Sequence, residues 1–224
     1  MTDPKIPARL VRLVSVRDVG CTGVTLRAIH ELEKIAEDPD KVLHCVAFLR
    51  RELGGYASLW HLERELREGD PRTVLTRFAA RLEADVEAGV TTAQALLESR
   101  PGGVVTAPSS GITRRLLDRL TGPDRVAPDA EHRIGLSGAD AIGPEAVLNI
   151  VGTRELAQRL PTVIVTTRDR LVPADVFAGL GSPLFERIPL ELFDAVVVND
   201  EVLTPREAGR RAAAGAPHPM AGQA

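Results

Sequence analysis

One carboxylate, Asp140, lies where acid/base chemistry could take place. It ends the run GLSGAD, whose apolar residues predict a strand over 132–140, and it precedes Gly143-Pro144. In open parallel sheets, ligands bind beyond the carboxyl ends of strands, so a carboxylate at this position is well placed to move a proton. The position also suits a residue that caps the next helix or accepts hydrogen bonds from loop amides. From the residues alone, both interpretations stay open.

Cys21 is the other side chain whose position suggests chemistry. It lies at the predicted N-terminus of a helix, where the positive end of the helix dipole stabilises a thiolate. Thiols that only fill core space are common, and we expect Cys21 to be a buried structural thiol of that kind. Cys45 lies on the apolar face of its predicted helix and is expected in the core.

Patterns for metals and cofactors are missing from the sequence. The histidines form no HExxH motif, and there is no CxxC pair to accompany them. The segment GLGSP (179–183) lacks the third glycine of a dinucleotide-binding loop and precedes a strand instead of following one. Charge-rich stretches such as RELREGDPR are typical of solvated helix faces. We therefore predict no metal site and no cofactor.

The elements that carry these residues fall into two groups, the first of which is helical. In residues 1–100, apolar side chains recur at helical spacing, and Gly or Pro residues separate successive helices. One helix is expected to begin near Thr22. The longest is expected to begin after Asp70, whose carboxylate can cap it ahead of a proline, and to continue through Leu97.

The second group has the alternation of a parallel sheet. Short β-rich runs alternate with helical runs after residue 100, which predicts crossover connections between parallel strands. The run from Glu145 to Leu160 is expected to be helical. Strands are expected at 104–108, 132–140, 162–167 and 195–199.

The fold class predicted from this alternation is α/β, with a helical N-terminal unit followed by a Rossmann-like parallel sheet domain. We place the helical domain at 1–100 and the Rossmann-like domain at 101–205. Residues 206–224 are rich in Ala, Gly and Pro, and we expect them to form a disordered tail.

The composition is that of an ordinary globular protein, with 44% hydrophobic and 26% charged residues. A net charge of −3 gives no general attraction to nucleic acid or to anionic membranes. Two cysteines do not make a disulfide framework, and the N-terminal residues lack the apolar core of a signal peptide. We therefore predict a cytoplasmic protein without a nucleic-acid or membrane partner.

Five segments, taken in their order along the chain, form a pattern that is more specific than any one of them. The clearest are SGADAIGPEAVLNIVGT and FERIPLELFDAVVVNDEVLTP, and the others are VRDVGCTGVTLRAIHEL, YASLWHL and VVTAPSSGITRRLL. Together they resemble a superfamily that contains the α, β and δ subunits of eukaryotic translation initiation factor 2B. The same superfamily contains methylthioribose-1-phosphate isomerase and ribose-1,5-bisphosphate isomerase.

The resemblance implies aldose–ketose isomerisation, in which a cysteine and the aspartate of the GAD motif carry the acid/base work. Asp140 matches that aspartate and is the candidate catalytic residue. The cysteine position falls at Pro108 or Ser109, neither of which offers a usable acid near neutral pH. Because the reaction needs one group to donate a proton and another to remove one, half of the expected pair is missing.

The ligand-binding residues implied by the resemblance are also only partly present. The arginine that holds phosphate in the isomerases has no counterpart around Leu53–Gly55, and the lysine of the NK-GT motif is replaced by Ile150. Backbone amides at helix N-termini can still hold an anion, and the runs GCTG and SSG are suitable for this. The predicted ligand-binding residues are Gly20, Cys21, Thr22, Ser109, Ser110, Asn149, Gly152 and Thr153.

The chain is also shorter than the superfamily pattern between Leu120 and His132. A strand or two should therefore be absent, so the Rossmann-like domain is expected to be truncated, with an edge that is exposed or covered by a partner. The resemblance further implies a homodimer through the α/β domain, and covering a shortened sheet supplies a physical reason for one.

Two functions follow from these expectations. We favour a non-catalytic protein resembling initiation factor 2B, which acts by association and binds a sugar phosphate or nucleotide at most. The alternative is a phosphosugar aldose–ketose isomerase, an intramolecular oxidoreductase of the ribose-1,5-bisphosphate or methylthioribose-1-phosphate type, that uses Asp140. The sequence does not settle which is right, because likeness in fold does not by itself carry an activity.

Overall fold

Helices make up the N-terminal part of the described chain. The computed structural model describes residues 5–16, 20–100, 102–107, 111–120 and 133–215. The helices before residue 100 are α1 (Ala8–Leu13), α2 (Gly20–Glu33), α3 (Pro39–Glu52), α4 (Ala57–Glu68) and α5 (Pro71–Glu98).

The start signal of α5 acts as the sequence predicts. The Asp70 side chain accepts a hydrogen bond from the backbone N–H of Thr73 at 2.9 Å, with a proline at the first helical position of α5. Asp38 caps α3 in the same way through the N–H of Lys41, at 3.1 Å. A capping carboxylate of this kind satisfies a donor that the first helical turn leaves free.

Strands and helices alternate after residue 100, which confirms the α/β fold class. The strands are β1 (Gly103–Thr106), β2 (Arg133–Ser137), β3 (Ala141–Ile142), β4 (Ala146–Ile150), β5 (Thr162–Thr166), β6 (Phe185–Pro189), β7 (Ala195–Val198) and β8 (Glu201–Leu203). The helices of this part are α6 (Gly111–Arg119), α7 (Thr153–Arg159), α8 (Ala174–Gly179) and α9 (Pro205–Ala213). Short 3-10 turns lie at Arg168–Arg170 and Leu190–Leu192.

Five of these strands form the main sheet, in the order β1-β2-β5-β7-β8. β1, β2, β5 and β7 are parallel, and β8 pairs antiparallel with β7 at one edge. Gly135 allows β2 and β5 to lie close together, because a Cβ at this position would come within 2.2 Å of the Thr162 hydroxyl. The sheet thus brings the carboxyl ends of β1, β2 and β5 to the same side, where a site is expected.

A second sheet corrects the helix that the sequence predicts over 145–160. β4 is a strand that pairs antiparallel with β3 on one side and with β6 on the other, and only Thr153–Arg159 is helical. Val147 and Leu148 on β4 are buried in two different apolar clusters, one on each face of the strand. Apolar burial on both faces, together with five residue pairs to β6, outweighs the helical preference of the segment.

The expected disordered tail is also corrected over its first part. Residues 205–213 form α9, where disorder was predicted from residue 206 onward. Thr204 and Glu207 form a reciprocal capping box, and Pro205 occupies the first helical position. Ala208 and Ala212 are fully buried on one face of α9, which shows why an alanine-rich segment is ordered here. Residues 216–224 lie outside the described chain.

The largest apolar core is shared by the two groups of elements. It joins side chains of α1–α5 to one face of the main sheet, including Val104, Leu136 and Val163. The long helix α5 crosses this face, and Gly89 lets it approach the backbone carbonyls of Thr166 and Asn199. The predicted division at residue 100 therefore separates two kinds of element that bury a common core. None of the described helices is long and apolar enough to span a membrane.

Candidate functional site

Polar residues from three elements meet where the helices contact the carboxyl ends of β2 and β5. Cys21 and Thr22 come from the N-terminus of α2, and Asp140 comes from the loop after β2. Thr166 comes from the end of β5, and Asp169 and Arg170 come from the turn that follows it. We call this group the seam site, and its members are Cys21, Thr22, Asp140, Thr166, Asp169 and Arg170.

Arg170 is the central cation of the seam site, with 2% of its surface exposed. Its Nη1 donates to the Sγ of Cys21 at 2.9 Å, and its Nη2 donates to the hydroxyl of Thr22 at 3.0 Å. The same Nη1 lies 3.4 Å from the Oδ2 atom of Asp169. Burial opposes the charge of Arg170, but the neighbouring carboxylates more than offset this, and its pKa is raised. A buried, paired guanidinium therefore ties α2 to the sheet.

Asp140 is fixed by its backbone and carries a titratable carboxyl. Its N–H donates to the carbonyl of Leu148 at 3.0 Å, and its own carbonyl accepts from the N–H of Ala57 at 3.2 Å. Burial raises the pKa of the Asp140 carboxyl to about 6, against the opposing effects of Arg170 and a hydrogen bond from Cys21. The carboxyl can therefore take up or release a proton near neutral pH, as general acid/base catalysis requires.

Cys21 is buried, as expected, and it remains a thiol. Burial raises the pKa of its Sγ, and the nearby Arg170 opposes that rise only in part. The Sγ atom lies 3.8 Å from the hydroxyl of Ser58, which is itself 2.8 Å from the hydroxyl of Thr25. The position at the start of α2 does not produce the thiolate that the helix dipole would favour, because the cost of burying the charge is larger.

The cavity between these residues is small, with a volume of about 10 Å³. That is roughly the space that one water molecule needs. Thr166 lines it, and among the described residues neither the hydroxyl of Thr166 nor the Oδ2 atom of Asp169, both buried, has a hydrogen-bond partner. The seam site thus combines unsatisfied polar atoms with too little room for a sugar phosphate, unless the surrounding residues move apart.

Two other predicted ligand-binding residues, Asn149 and Thr153, lie in a separate cluster together with Ser137, and we call these three residues the Asn149 network. The side-chain nitrogen of Asn149 lies 2.8 Å from the Ser137 hydroxyl and 3.1 Å from the Thr153 hydroxyl, and it also donates to the carbonyl of Gly138 at 2.9 Å. All three residues of the network are buried. Their polar atoms bind one another and link β2, β4 and α7.

The N-terminus of α7 is occupied by a carboxylate of the chain itself. Oε1 of Glu186 accepts hydrogen bonds from the backbone N–H groups of Gly152, at 3.0 Å, and Arg154, at 2.8 Å. These are the donors that a phosphate would use at a helix N-terminus. Gly152 has a φ of 102°, a conformation that suits glycine and turns the chain from β4 into α7. Asn149, Gly152 and Thr153 do not line the cavity at Asp140.

The structure therefore places only some of the predicted site residues near Asp140. It brings Cys21 and Thr22 to Asp140, and Gly20 begins the same helix. Ser109 and Ser110 lie outside the described residues. Arg170, Asp169 and Thr166 were missed by the sequence analysis, although the signal was available: Thr166 lies near the end of the strand predicted at 162–167 and RDR follows it, at the position where parallel sheets bind ligands.

Larger concave surfaces lie elsewhere. One groove of about 840 Å³ lies between the second sheet and the start of α9, and another of about 330 Å³ lies between β1 and α7. Among the predicted site residues that the structure describes, only Gly152 lines either of them. Within the described residues, no group of His, Cys, Asp and Glu side chains could hold a metal ion.

Comparison with known proteins identifies the fold. No protein-family model matches the chain, and no curated protein matches it in sequence. Solved structures do match. The translation initiation factor eIF-2B of Pyrococcus horikoshii OT3 superposes with a TM-score of 0.69 at 16% identity, over 90% of this chain and 99% of that one.

Two further structures show how widely this fold is used. The tetrameric eIF2B-beta2-delta2 complex from C. thermophilum matches with a TM-score of 0.59 at 16% identity, over 92% of each chain. The 5-methylthioribose 1-phosphate isomerase of P. horikoshii matches with a TM-score of 0.53 at 12% identity, over 92% of this chain and 86% of that one. The chain therefore has the fold shared by eIF2B subunits and this isomerase, which confirms the resemblance seen in the sequence.

Proposed function

We propose that the chain is a non-catalytic protein of the eIF2B-like fold that acts by associating with protein chains, including a second copy of itself. One observation carries this proposal: the chain's own Arg170 lines the cavity at Asp140, which is left with a volume of only about 10 Å³. The guanidinium uses the two residues of α2, Cys21 and Thr22, that were predicted to hold an anion. The geometry is that of a contact that holds two parts of the protein together.

Electrostatics supports the same proposal. A phosphate site needs uncompensated positive charge, but the charge of Arg170 is opposed by Asp169 at 3.4 Å and by Asp140 in the same cavity. Adding an anion would place it beside two carboxylates in a buried environment, where charges of like sign repel strongly. We therefore expect sugar phosphates and nucleotides to bind weakly or not at all.

Association is the role for which similar proteins offer a precedent. One of the matched structures is a tetrameric complex of eIF2B subunits, so this fold can build assemblies. Both cysteines of this chain are free and buried, which fits a reducing compartment such as the cytoplasm. A homodimer through the α/β part remains the simplest assembly to propose.

Thermal unfolding and light scattering test this proposal together. The protein is heated with a panel of phosphosugars and nucleoside phosphates, each at up to millimolar concentration, and its molar mass is measured over a range of concentrations. A ligand present at one hundred times its dissociation constant adds about 2.7 kcal/mol of stability. We expect no shift in melting temperature and a molar mass above that of one chain. A strong shift combined with a monomeric mass would contradict the proposal.

A second function, aldose–ketose isomerisation, is favoured by one specific observation. Cys21 and Asp140 share a cavity, and the carboxyl of Asp140 has a pKa of about 6. A thiol from α2 thus lies near Asp140, where the sequence had shown no second titratable group. In such a reaction Asp140 would take the proton from C2 of an opened aldose and return it to C1, while the C2 hydroxyl proton passes to the C1 oxygen, so that C2 becomes the carbonyl and no oxidant is consumed.

Turnover separates the two functions. Aldose phosphates are incubated with the protein, and ketose formation is followed for the wild type and for Asp140→Asn, Cys21→Ser and the matched control Cys45→Ser. Isomerisation requires that Asp140→Asn abolishes turnover without unfolding the protein and that Cys45→Ser leaves it unchanged. Absence of turnover across the panel, with a folded wild type, supports the non-catalytic proposal.

A further inference from the structure

We propose that two copies of the chain pair through the outer edge of β1, antiparallel and about a two-fold axis, so that the main sheet continues across the dimer. We call this surface the β1 edge; it comprises Val104, Val105 and Thr106. The inference rests on the proposed function, association, and assigns it to one surface. Among the described strands, β1 lies at the end of the main sheet and has β2 as its neighbour.

The backbone of β1 has groups that point away from the sheet. Ala107 donates its N–H to the carbonyl of Leu136, so Ala107 faces β2. Backbone groups alternate in direction along a strand, and Val105 therefore also faces β2, whereas Val104 and Thr106 face outward. Each chain thus presents two N–H groups and two carbonyls on the β1 edge, which is the template that a further strand requires.

These groups complement those of a second copy. In an antiparallel pair with the two-fold axis at Val105, Val104 of one copy lies opposite Thr106 of the other. Directly opposed residues that face each other exchange two hydrogen bonds, so the two such pairs form four bonds and use every outward N–H and carbonyl of Val104 and Thr106. A second copy therefore satisfies the whole edge without any change of register.

Side chains on the β1 edge favour such pairing. The run Gly-Val-Val-Thr of β1 carries no charge, and its β-branched residues pack well across strands. The opposite edge of the sheet is different. β8 is only three residues long, and Glu201 on it is paired with Arg211 of α9 at 2.5 Å. Short strands and charges are the features by which proteins protect an edge, and β1 lacks the charges.

The surface beside the β1 edge also suits a second copy. The groove of about 330 Å³ next to it is lined by Val105, Leu156 and Leu160, which are all half-buried. On the same surface Glu155 and Arg159 are exposed and lie 3.2 Å apart, and exposed Arg133 adds a second basic side chain. A surface with both signs of charge around apolar side chains can form pairs of opposite charge with its own copy across a two-fold axis.

Substitutions at the axis test this assignment. Val105→Glu and Val105→Lys each place two like charges opposite each other, and each should raise the dimer dissociation constant at least about tenfold. Thr106→Pro removes one outward N–H while sparing the inward bonds of its neighbours, and it should also release monomers. The matched control is Val202→Glu on β8, where Val202 is 47% exposed and the dimer should persist. Circular dichroism and unfolding curves establish that each variant is folded.

Mixing the two charged Val105 variants tests whether dimer formation can be restored, which would not happen if the variants were misfolded. Val105→Glu and Val105→Lys, combined in equal amounts, place opposite charges at the axis and should restore a mixed dimer in light scattering. If the wild type is a dimer and all three β1 variants remain dimers, the β1 edge is not the interface, although association itself stands. A wild type that is monomeric at every accessible concentration would overturn both the inference and self-association.

Discussion

The seam site and the Asn149 network are both buried and polar, and each contains residues that the sequence analysis predicted as site residues, but they are built from different groups. In the Asn149 network, neutral side chains meet, and the Asn149 amide nitrogen finds three acceptors within 3.1 Å. In the seam site, a guanidinium meets carboxyl groups and a thiol, and Thr166 and Asp169 each keep a buried atom that no described residue hydrogen-bonds.

This difference indicates what each cluster does. A neutral network with every donor matched adds to stability and specifies one packing, because nothing in it gains from a ligand or a proton. A charged cluster with unmatched atoms responds to its surroundings, since its energy depends on the protonation of Asp140 and on anything that reaches Thr166. Sequence motifs place both clusters near the GAD segment, but only the seam site can titrate near neutral pH.

The largest expected effect is the loss of stability when the charged seam site loses its cation, for which the neutral Asn149 network has no counterpart. Arg170→Met leaves the carboxyls of Asp140 and Asp169 in a buried site without their cation, and it should destabilise the protein by about 3–5 kcal/mol. Urea unfolding at pH 7 measures this. Arg168→Met is the matched control: Arg168 is partly exposed and pairs with Asp85 at 3.1 Å, so its loss should cost clearly less. Equal costs would show that Arg170 has no special role.

The next largest effect is a pH dependence of the free energy of unfolding, which is expected from the seam site and not from the Asn149 network. The folded-state pKa of Asp140 is about 6, above the ordinary value of 3.8. Folding therefore favours the protonated carboxyl, and this contribution to stability is fully present below about pH 4 and is lost as the pH rises through about 6. The stability of the wild type relative to Asp140→Asn should fall by on the order of 2 kcal/mol between pH 4 and pH 7.

Unfolding of both proteins at half-unit pH steps provides that comparison. Other carboxyls, such as Glu63, have lowered pKa values and contribute the opposite slope, but they cancel in the difference between the two proteins. A difference that does not change with pH would mean that the Asp140 carboxyl is not buried as described.

The Asn149 network should show a smaller and pH-independent effect. Asn149→Ala removes the nitrogen that joins Ser137, Gly138 and Thr153, and it should cost about 1–3 kcal/mol. The cost should be the same at pH 5 and pH 8, because no member of the network titrates in this range. A marked pH dependence would indicate that the two clusters are coupled and would weaken the contrast between them.

The smallest expected effect concerns the unmatched hydroxyl in the cavity. Thr166→Val replaces a buried hydroxyl that no described residue hydrogen-bonds by a methyl group of similar size, and it should change stability by less than about 1 kcal/mol. Thr167→Val is the control, because Thr167 donates to the carboxylate of Asp169 and its loss should cost more. A large cost for Thr166→Val would reveal that a water or ligand uses this hydroxyl.

Local sequence patterns predicted the helices and most of the main sheet well. Asp70-Pro71 marked the start of α5, because a capping carboxylate and a proline favour the same position. The strand at 162–167 was likewise visible from β-branched residues. The segments that were predicted incorrectly, β4 and α9, depend on partners distant in sequence: β6 for the strand, and the buried face of the second sheet for the helix.

The candidate site was predictable only in part. Asp140 was found because a strand end and a motif both pointed to it. Arg170 was not, since its contact with Cys21 joins residues 149 positions apart and follows from how α2 lies against the end of β5. Asn149 and Thr153 belonged to the motif, but whether their side chains face a ligand or one another depends on the pairing of β4 with its neighbours.

The sequence by itself determined the helical character of the first hundred residues, the α/β class and the carboxylate after β2, because each depends on residues close together in the chain. The tertiary structure decided which charges share a buried space, which polar groups find partners, and which edge of the sheet faces outward. These properties depend on distances of a few ångströms between segments far apart in the chain, and burial then sets the energies that govern protonation and association.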